Sequence, residues 1–292
     1  MFNKDEIYNY IEKKHLEDGG YFFAEVVPSS GLDTYLAVKT LNILGFKPRK
    51  PEAIISFWKN EEYDGNLDDL NGLFFAYQCH KILGYSLKNF DKYKNLLLTK
   101  YQDPELYKKR QVSLAKDEFS LASSSVATVY IDILEGEAKS IYYLITLLTE
   151  LGISFDKRKF IKYVNSLQND DGGFGGINGS QTATTLYCLE ILNKIEHPFP
   201  KEKEIRQYLM HQFLLANYLE EYYWTIEGLA LLKREIPDKK KILSFICACY
   251  RGNGGFSRSQ FMGISTIEYT YYAVSILKQL EKQYISVFNN KS

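Results

Sequence analysis

Leu167-Gln168-Asn169-Asp170-Asp171-Gly172-Gly173-Phe174-Gly175-Gly176 lies between two segments of helical periodicity, and weaker copies of it stand near both ends of the chain. Glu17-Asp18-Gly19-Gly20-Tyr21-Phe22 is the first copy and Arg251-Gly252-Asn253-Gly254-Gly255-Phe256 the last. Each follows an amphipathic segment and precedes a more apolar one that opens in Asp, Ser or Thr. Gly supplies the positive φ of a tight turn, Asp can bond its own backbone, and the aromatic residue anchors the loop. A loop that recurs in this way is an architectural hinge. Its Asp18, Asp171, Gly and Phe positions are therefore expected to be structural, not catalytic.

Outward from these hinges the pattern is helical throughout. Asp171 and Asn253 lie 82 positions apart; this makes two units of about 41 residues, the size of paired-helix repeats that stack because one pair cannot bury its own apolar face. The spacing predicts helices over Ile7–Leu16, from Ser29-Ser30-Gly31-Leu32-Asp33 to a stop at Gly45, from Pro51 through Trp58, and from Asp68-Asp69 to Gly84. Phe90–Leu98 follows, then a polar stretch, 101–118, read as a long loop or insertion. Leu121–Leu134 and Ile141–Leu151 are apolar segments on either side of a break at Glu135-Gly136-Glu137. Phe155–Leu167 with Thr182–Leu192, Pro200–Leu215 with Tyr222–Leu232, and Pro237–Tyr250 with Ser265–Leu280 complete the series. Alternating strands with hairpin dipeptides are absent, so the expectation is an all-α chain of about six helical pairs in one domain, 1–292.

Composition narrows the function. Equal numbers of basic and acidic residues argue against broad electrostatic capture of nucleic acid or anionic membrane. The start, Met1-Phe2-Asn3-Lys4-Asp5-Glu6, reads as helix and not as a signal peptide, and no apolar run reaches bilayer-spanning length. Cys79, Cys188, Cys247 and Cys249 lie in apolar helical segments and are expected to be reduced, buried thiols of a cytoplasmic protein. Aromatic residues reach 15%, and many fall in the second segment of a pair: Tyr35, Phe74, Phe75, Tyr77, Tyr187, Tyr223, Trp224, Tyr269, Tyr271 and Tyr272. About half of them are expected to line a cavity, since only one helical stripe can face it.

A helix ending in Leu-Gln, then Asn-Asp-Asp-Gly-Gly-Phe-Gly-Gly, then a helix opening in Thr resembles the repeat shared by protein prenyltransferase β subunits and by squalene and terpenoid cyclases. Phe160–Leu192 matches closely. Asp18–Leu44, with Gly31-Leu32-Asp33-Thr34-Tyr35-Leu36-Ala37-Val38, and Arg251–Leu277 match in part. The resemblance implies an α/α toroid, an (α/α)6 barrel in which six inner helices line a cavity for an isoprenoid and six outer helices surround them. It also implies a helical α-subunit-like protein partner. On that reading Tyr35, Phe74, Tyr223, Trp224, Tyr269 and Tyr272 would contact a prenyl diphosphate or polyene, with ring faces able to stabilise a carbocation. Arg251 and Arg258, flanking the last hinge, would meet a diphosphate, as Lys108, Lys109 and Arg110 of the polar stretch could.

The chemical signatures of that superfamily are incomplete here. Its zinc enzymes use an Asp and a Cys two residues apart on one inner helix and a His on the last. No Asp-x-Cys occurs, Tyr269 stands where the His would fall, and the Tyr222-Tyr223-Trp224-Thr225 segment reads as lacking an acidic residue at its start. Cys247-Ala248-Cys249 has no evident third ligand, and His15, His80, His197 and His211 are scattered, so no cofactor is predicted, with zinc and magnesium both left open. Protonation-initiated cyclases carry Asp-x-Asp-Asp at the head of an inner helix; Asn66-Leu67-Asp68-Asp69 lacks the first Asp. Were it active, Asp68 would be the acid, kept protonated by burial and by Asp69; its simpler role is a helix N-cap. Three further classes stay open: a non-catalytic binding protein on the same fold, an (α/α)6 glycosidase or lyase if Asp33, Asp69, Glu227 and Glu268 converge, and a HEAT-type scaffold.

Overall fold

The computed structural model describes residues 2–87, 90–107, 123–176 and 179–289. Lys108, Lys109 and Arg110 lie outside the described residues. Within them run α1 (Lys4–Lys13), α2 (Gly31–Leu44), α3 (Pro51–Tyr63), α4 (Leu70–Leu83), α5 (Phe90–Gln102), α6 (Ser123–Glu150), α7 (Lys157–Leu167), α8 (Thr182–Lys194), α9 (Glu202–Leu215), α10 (Leu219–Leu231), α11 (Lys239–Cys249) and α12 (Ile267–Asn289). The six expected pairs are thus present among the described residues. None of these helices is long and apolar enough to cross a membrane.

Local chemistry sets the boundaries. Ser30 caps α2 by accepting from the Asp33 N–H, Asp156 caps α7 from Arg158, and Asp238 caps α11 from Lys241. Gly45 and Gly84 end α2 and α4 in the left-handed conformation. Two expectations fail. The break at Glu135-Gly136-Glu137 does not exist, because α6 runs through it; one glycine costs a long helix only about 1 kcal/mol relative to alanine. In the polar stretch Tyr101 and Gln102 are the end of α5 and Pro104–Tyr107 is a short 3-10 turn, so its first residues are ordered structure and not loop.

The two members of a pair are buried differently. In α7 the buried residues are Phe160, Tyr163, Val164 and Leu167, one stripe of an amphipathic helix. In α2 and α8 burial is nearly continuous around the helix, as at Asp33–Val38 and Ala183–Leu186. By contacts the chain divides into two units: Met1–Phe90 with Ala216–Ala230 and Glu235–Ser292, and Asp91–Leu215 with Leu231–Arg234. In the first, α2 lies between α4 and α12, with α1 behind α2 and α3 behind α4. In the second, α8 packs against α6 and α7.

The three hinges share one hydrogen-bond scheme. The carbonyls of Gly20, Gly173 and Gly255 accept from Leu16, Asn169 and Arg251, each at 2.9 Å. Asp18 and Asp171 accept from the hydroxyls of Ser29 (2.5 Å) and Ser180 (2.6 Å), and Asn253 Nδ2 donates to Ser265 Oγ (2.8 Å). A threonine one turn into the following helix accepts from the aromatic residue's N–H: Thr34 from Tyr21 (2.9 Å), Thr185 from Phe174 (3.0 Å) and Thr270 from Phe256 (3.2 Å). The central hinge adds a two-residue antiparallel ladder, β1 (Gly175–Gly176) with β2 (Gly179–Ser180).

Each hinge also packs on the start of another pair. The Cβ that Gly172 lacks would stand 2.3 Å from the Glu204 backbone of α9, and that of Gly19 2.3 Å from the Ala53 carbonyl of α3. The last hinge meets the first helix, with Gly254 against the Glu6 carbonyl and Gly255 against the Tyr10 ring. Around them Phe2 contacts Tyr250 and Phe256, and Tyr250 donates to Glu6. The hinge glycines have φ of +93, +89 and +92°, so both the conformation and the approach exclude a side chain. Structural duty for these residues is the observed arrangement.

Candidate functional site

One turn into the second helix of several pairs, aromatic side chains meet. In the first unit Tyr35 of α2 stacks on Phe75 of α4 (centroids 5.3 Å apart) and meets Phe74 edge-on at 5.7 Å. Tyr223 of α10 stacks on Tyr272 of α12 at 4.5 Å, and its hydroxyl lies 3.1 Å from that of Tyr271. Tyr269 contacts Tyr272 at 6.4 Å. Of the expected contact residues Tyr35 and Phe74 are buried, whereas Tyr223, Trp224, Tyr269 and Tyr272 are half-buried. In the second unit Tyr142 of α6 and Tyr187 of α8 lie 5.8 Å apart.

Lys39, a residue the sequence did not single out, enters this cluster. Its ammonium donates to Tyr35 Oη at 2.9 Å and lies 5.2 and 4.9 Å from the ring centroids of Tyr35 and Tyr271. Burial pushes the Tyr35 phenol up to about 12 despite the opposing pull of that ammonium. The available signal was a lone cation in an apolar helix, four residues after a tyrosine.

The two arginines expected at an anion are engaged in the protein itself. Arg251 donates to the carbonyls of Ser259 and Gln260 and holds the loop before α12. Arg258 pairs with Glu220 at 2.5 Å and lies over the Tyr218 ring, its guanidinium carbon 4.1 Å from the centroid. Burial raises the Glu220 carboxyl above its ordinary value, against the lowering effect of Arg258. The segment Tyr222-Tyr223-Trp224-Thr225 does have acids ahead of it, contrary to expectation. Glu221 reaches back to accept from the Asn217 and Tyr218 N–H groups, so α10 starts at Leu219 and takes Glu220 and Glu221 into its first turn.

Asp68 and Asp69 are exposed; Asp69 caps α4, accepting from Asn71 and Gly72 at 2.6 and 3.0 Å. Glu227 accepts from Gln279 at 2.8 Å. Asp33 and Glu268, at the starts of α2 and α12, influence one another. Burial, then the Glu268 carboxylate, raise Asp33 to about 6, opposed by the Phe23 N–H and by Lys14. Tyr272 donates to Glu268 at 2.7 Å. Three of the four thiols are buried as expected, but Cys247 is exposed. Among the described residues no three His, Cys, Asp or Glu side chains converge to hold a metal ion.

The prenyltransferase α/α toroid domain model matches residues 2–100, 119–216 and 206–292. The chain belongs to the prenyltransferase α/α toroid family. Its fold is the all-α toroid of that family. Candida albicans protein geranylgeranyltransferase-I complexed with GGPP is a similar solved structure, with a TM-score of 0.70 and 12% identity over 96% of this chain and 92% of that one. At that identity the likeness shows the fold alone. No curated protein matches the toroid chain in sequence.

Proposed function

We propose that this toroid binds an isoprenoid against the aromatic faces of its inner helices and acts on it as a prenyltransferase-like enzyme, with a terpenoid-cyclase-like reaction as the variant. The observation that carries the reading is two aromatic pairs, Tyr35 with Phe74 and Tyr223 with Tyr272, linked through Tyr271 and through Lys39, whose ammonium lies over the Tyr35 and Tyr271 rings. An apolar surface with a few convergent polar groups suits a long hydrocarbon with one polar end. Tyr269, 6.4 Å from Tyr272, extends it, and Trp224 is half-buried on the same helix as Tyr223. Arg251 and Arg258 act by holding the loop and α10 in place, and Asp69 as a cap. The geranylgeranyltransferase ligand named above supports a prenyl diphosphate as the first compound to try.

A helical partner protein belongs to the proposal. Phe261, Met262 and Ile264, in the loop before α12, are 87, 53 and 67% exposed, a cluster of the kind that marks an interaction surface. The test is native mass spectrometry of the purified chain with farnesyl and geranylgeranyl diphosphate. Retention of one bound prenyl diphosphate is the expected result; no isoprenoid bound at any concentration overturns the reading. Stoichiometric metal in the same spectrum would instead revise the donor assignment. A second reading, binding without chemistry, is favoured by the exposure of Asp68 and Asp69, and turnover assays on the loaded protein separate the two.

A further inference from the structure

The face of α3 that carries Glu52, Ser56, Lys59 and Glu62, three or four residues apart, borders a half-open cavity of about 260 Å³. The end of α4 and the chain just after it form the opposite wall. That volume lies just below the range of drug-sized sites, so a ligand there is small. The cavity shares no residue with the aromatic pairs described above. Its chemistry is set by His80, an imidazole only 6% exposed whose Nδ1 lies 2.8 Å from the Ala76 carbonyl one turn back. A carbonyl can only accept, so Nδ1 carries the proton and the neutral ring has a bare lone pair on Nε2. Among the described residues Nε2 has no hydrogen-bond partner. Because Nδ1 is turned to its own helix, the edge left to border the cavity is the Nε2 edge. Burial lowers the imidazole below its ordinary value, against the Ala76 carbonyl and the Glu62 carboxylate and with the help of Lys59, so the ring is neutral at neutral pH. The charged side chains of the wall are two carboxylates, Glu52 and Glu62, and one ammonium, Lys59. The Tyr85 hydroxyl, 3.4 Å from Glu52, donates to that carboxylate.

We propose that this cavity is a binding site for a small primary amine in its protonated form, the ammonium donating to His80 Nε2 and the apolar body resting on Ile55, Trp58 and Leu87. An anion would meet two carboxylates and a ring nitrogen with no hydrogen to give, with Lys59 alone to attract it. A neutral alcohol would donate to His80 but gain nothing from the carboxylates, whereas the bond from an ammonium is charge-assisted. The site stands independently of the isoprenoid reading and has its own test.

The probe is benzylamine, with benzyl alcohol and benzoate as its neutral and anionic counterparts of similar size. Affinity for the full chain is measured by NMR from the ligand signals, and the site from the ring nitrogens of isotope-labelled histidine. Wild type at neutral pH is expected to show His80 as the Nδ1–H tautomer, to bind benzylamine more tightly than either counterpart, and to shift the His80 Nε2 signal on binding. His80→Phe should weaken benzylamine by about tenfold, the equivalent of one hydrogen bond to a charged group, and His80→Gln, which still offers an acceptor, should lose less. Ser56 is exposed, so Ser56→Trp fills the cavity without disturbing the core and should abolish binding. Lowering the pH through the titration of His80 should release the amine from wild type, because an imidazolium beside it neither accepts nor tolerates a second cation. Benzoate or the alcohol bound as tightly as the amine, a His80 signal that does not move, affinity unchanged in both His80→Phe and Ser56→Trp, or no benzylamine bound at all overturns the proposal.

Discussion

At Gly172 the absent side chain is a requirement and not an economy. A Cβ would stand 2.3 Å from the Glu204 carbonyl carbon, on a backbone at φ +89°. Gly172→Ala is expected to destabilise the protein by about 3 kcal/mol or more, read as a shift in urea midpoint, because conformational strain and backbone overlap add. Thr185 stabilises the same hinge through a hydrogen bond from the Phe174 N–H, so Thr185→Val should cost about 1–2 kcal/mol and Thr185→Ser much less. Asp33 gives a pH signature. Its folded-state carboxyl is raised to about 6, and the unfolded chain loses that proton at a lower pH. Between those two values the folded state holds the extra proton, so stability falls as pH rises and levels off above about 6. The total is of the order of 3 kcal/mol, and Asp33→Asn should flatten this part of a stability-against-pH curve. A wild-type curve that rises over the same interval by that amount would contradict the assignment.

At the scale of the element, α10 depends on its first turn. Glu220 is buried while the Arg258 side chain is 40% exposed, so losing Arg258 leaves a carboxylate unpaired in a setting only partly reached by water. Arg258→Met is expected to cost about 2 kcal/mol, below the range for fully buried pairs, and the added change Glu220→Gln should recover most of it in thermal unfolding. That this turn exists was not legible in the sequence. Tyr222 looked like the start of the helix, and only the Glu221 carboxylate reaching back to Asn217 and Tyr218 moves the start to Leu219. The hinges were legible because Asp-Gly-Gly-Phe repeats with little change. Their serine and threonine partners were not, because the loop between glycine and serine differs in length among the three copies. Glu135-Gly136-Glu137 misled for the opposite reason: a local helix-weakening signal was outvoted by the apolar residues on both sides within α6. Lys39 escaped notice because a single lysine is ordinarily solvated, and only the folded arrangement brings Tyr271 of α12 beside it.

At the scale of the molecule, the family's toroid was predictable from three hinges, whereas its chemistry was not, since side chains that meet at the aromatic surface come from α2, α4, α10 and α12. Deleting residues 2–14 should do more than remove one helix. Gly254, Gly255 and Phe256 would lose the surface they pack on, and the expected outcome is a lowered, broadened thermal transition; a sharp transition at the original temperature would show α1 to be dispensable. The contact between Tyr250 and Glu6 spans a sequence separation of 244 residues. Loop closure over such a span adds little to the equilibrium cost but delays the event itself. During synthesis α1 precedes the hinge that covers it, with a separation of 244 residues between Glu6 and Tyr250. Its apolar side chains Ile7, Tyr10 and Ile11 must therefore wait through that span of synthesis for part of their final surroundings, exposed meanwhile to association with other chains.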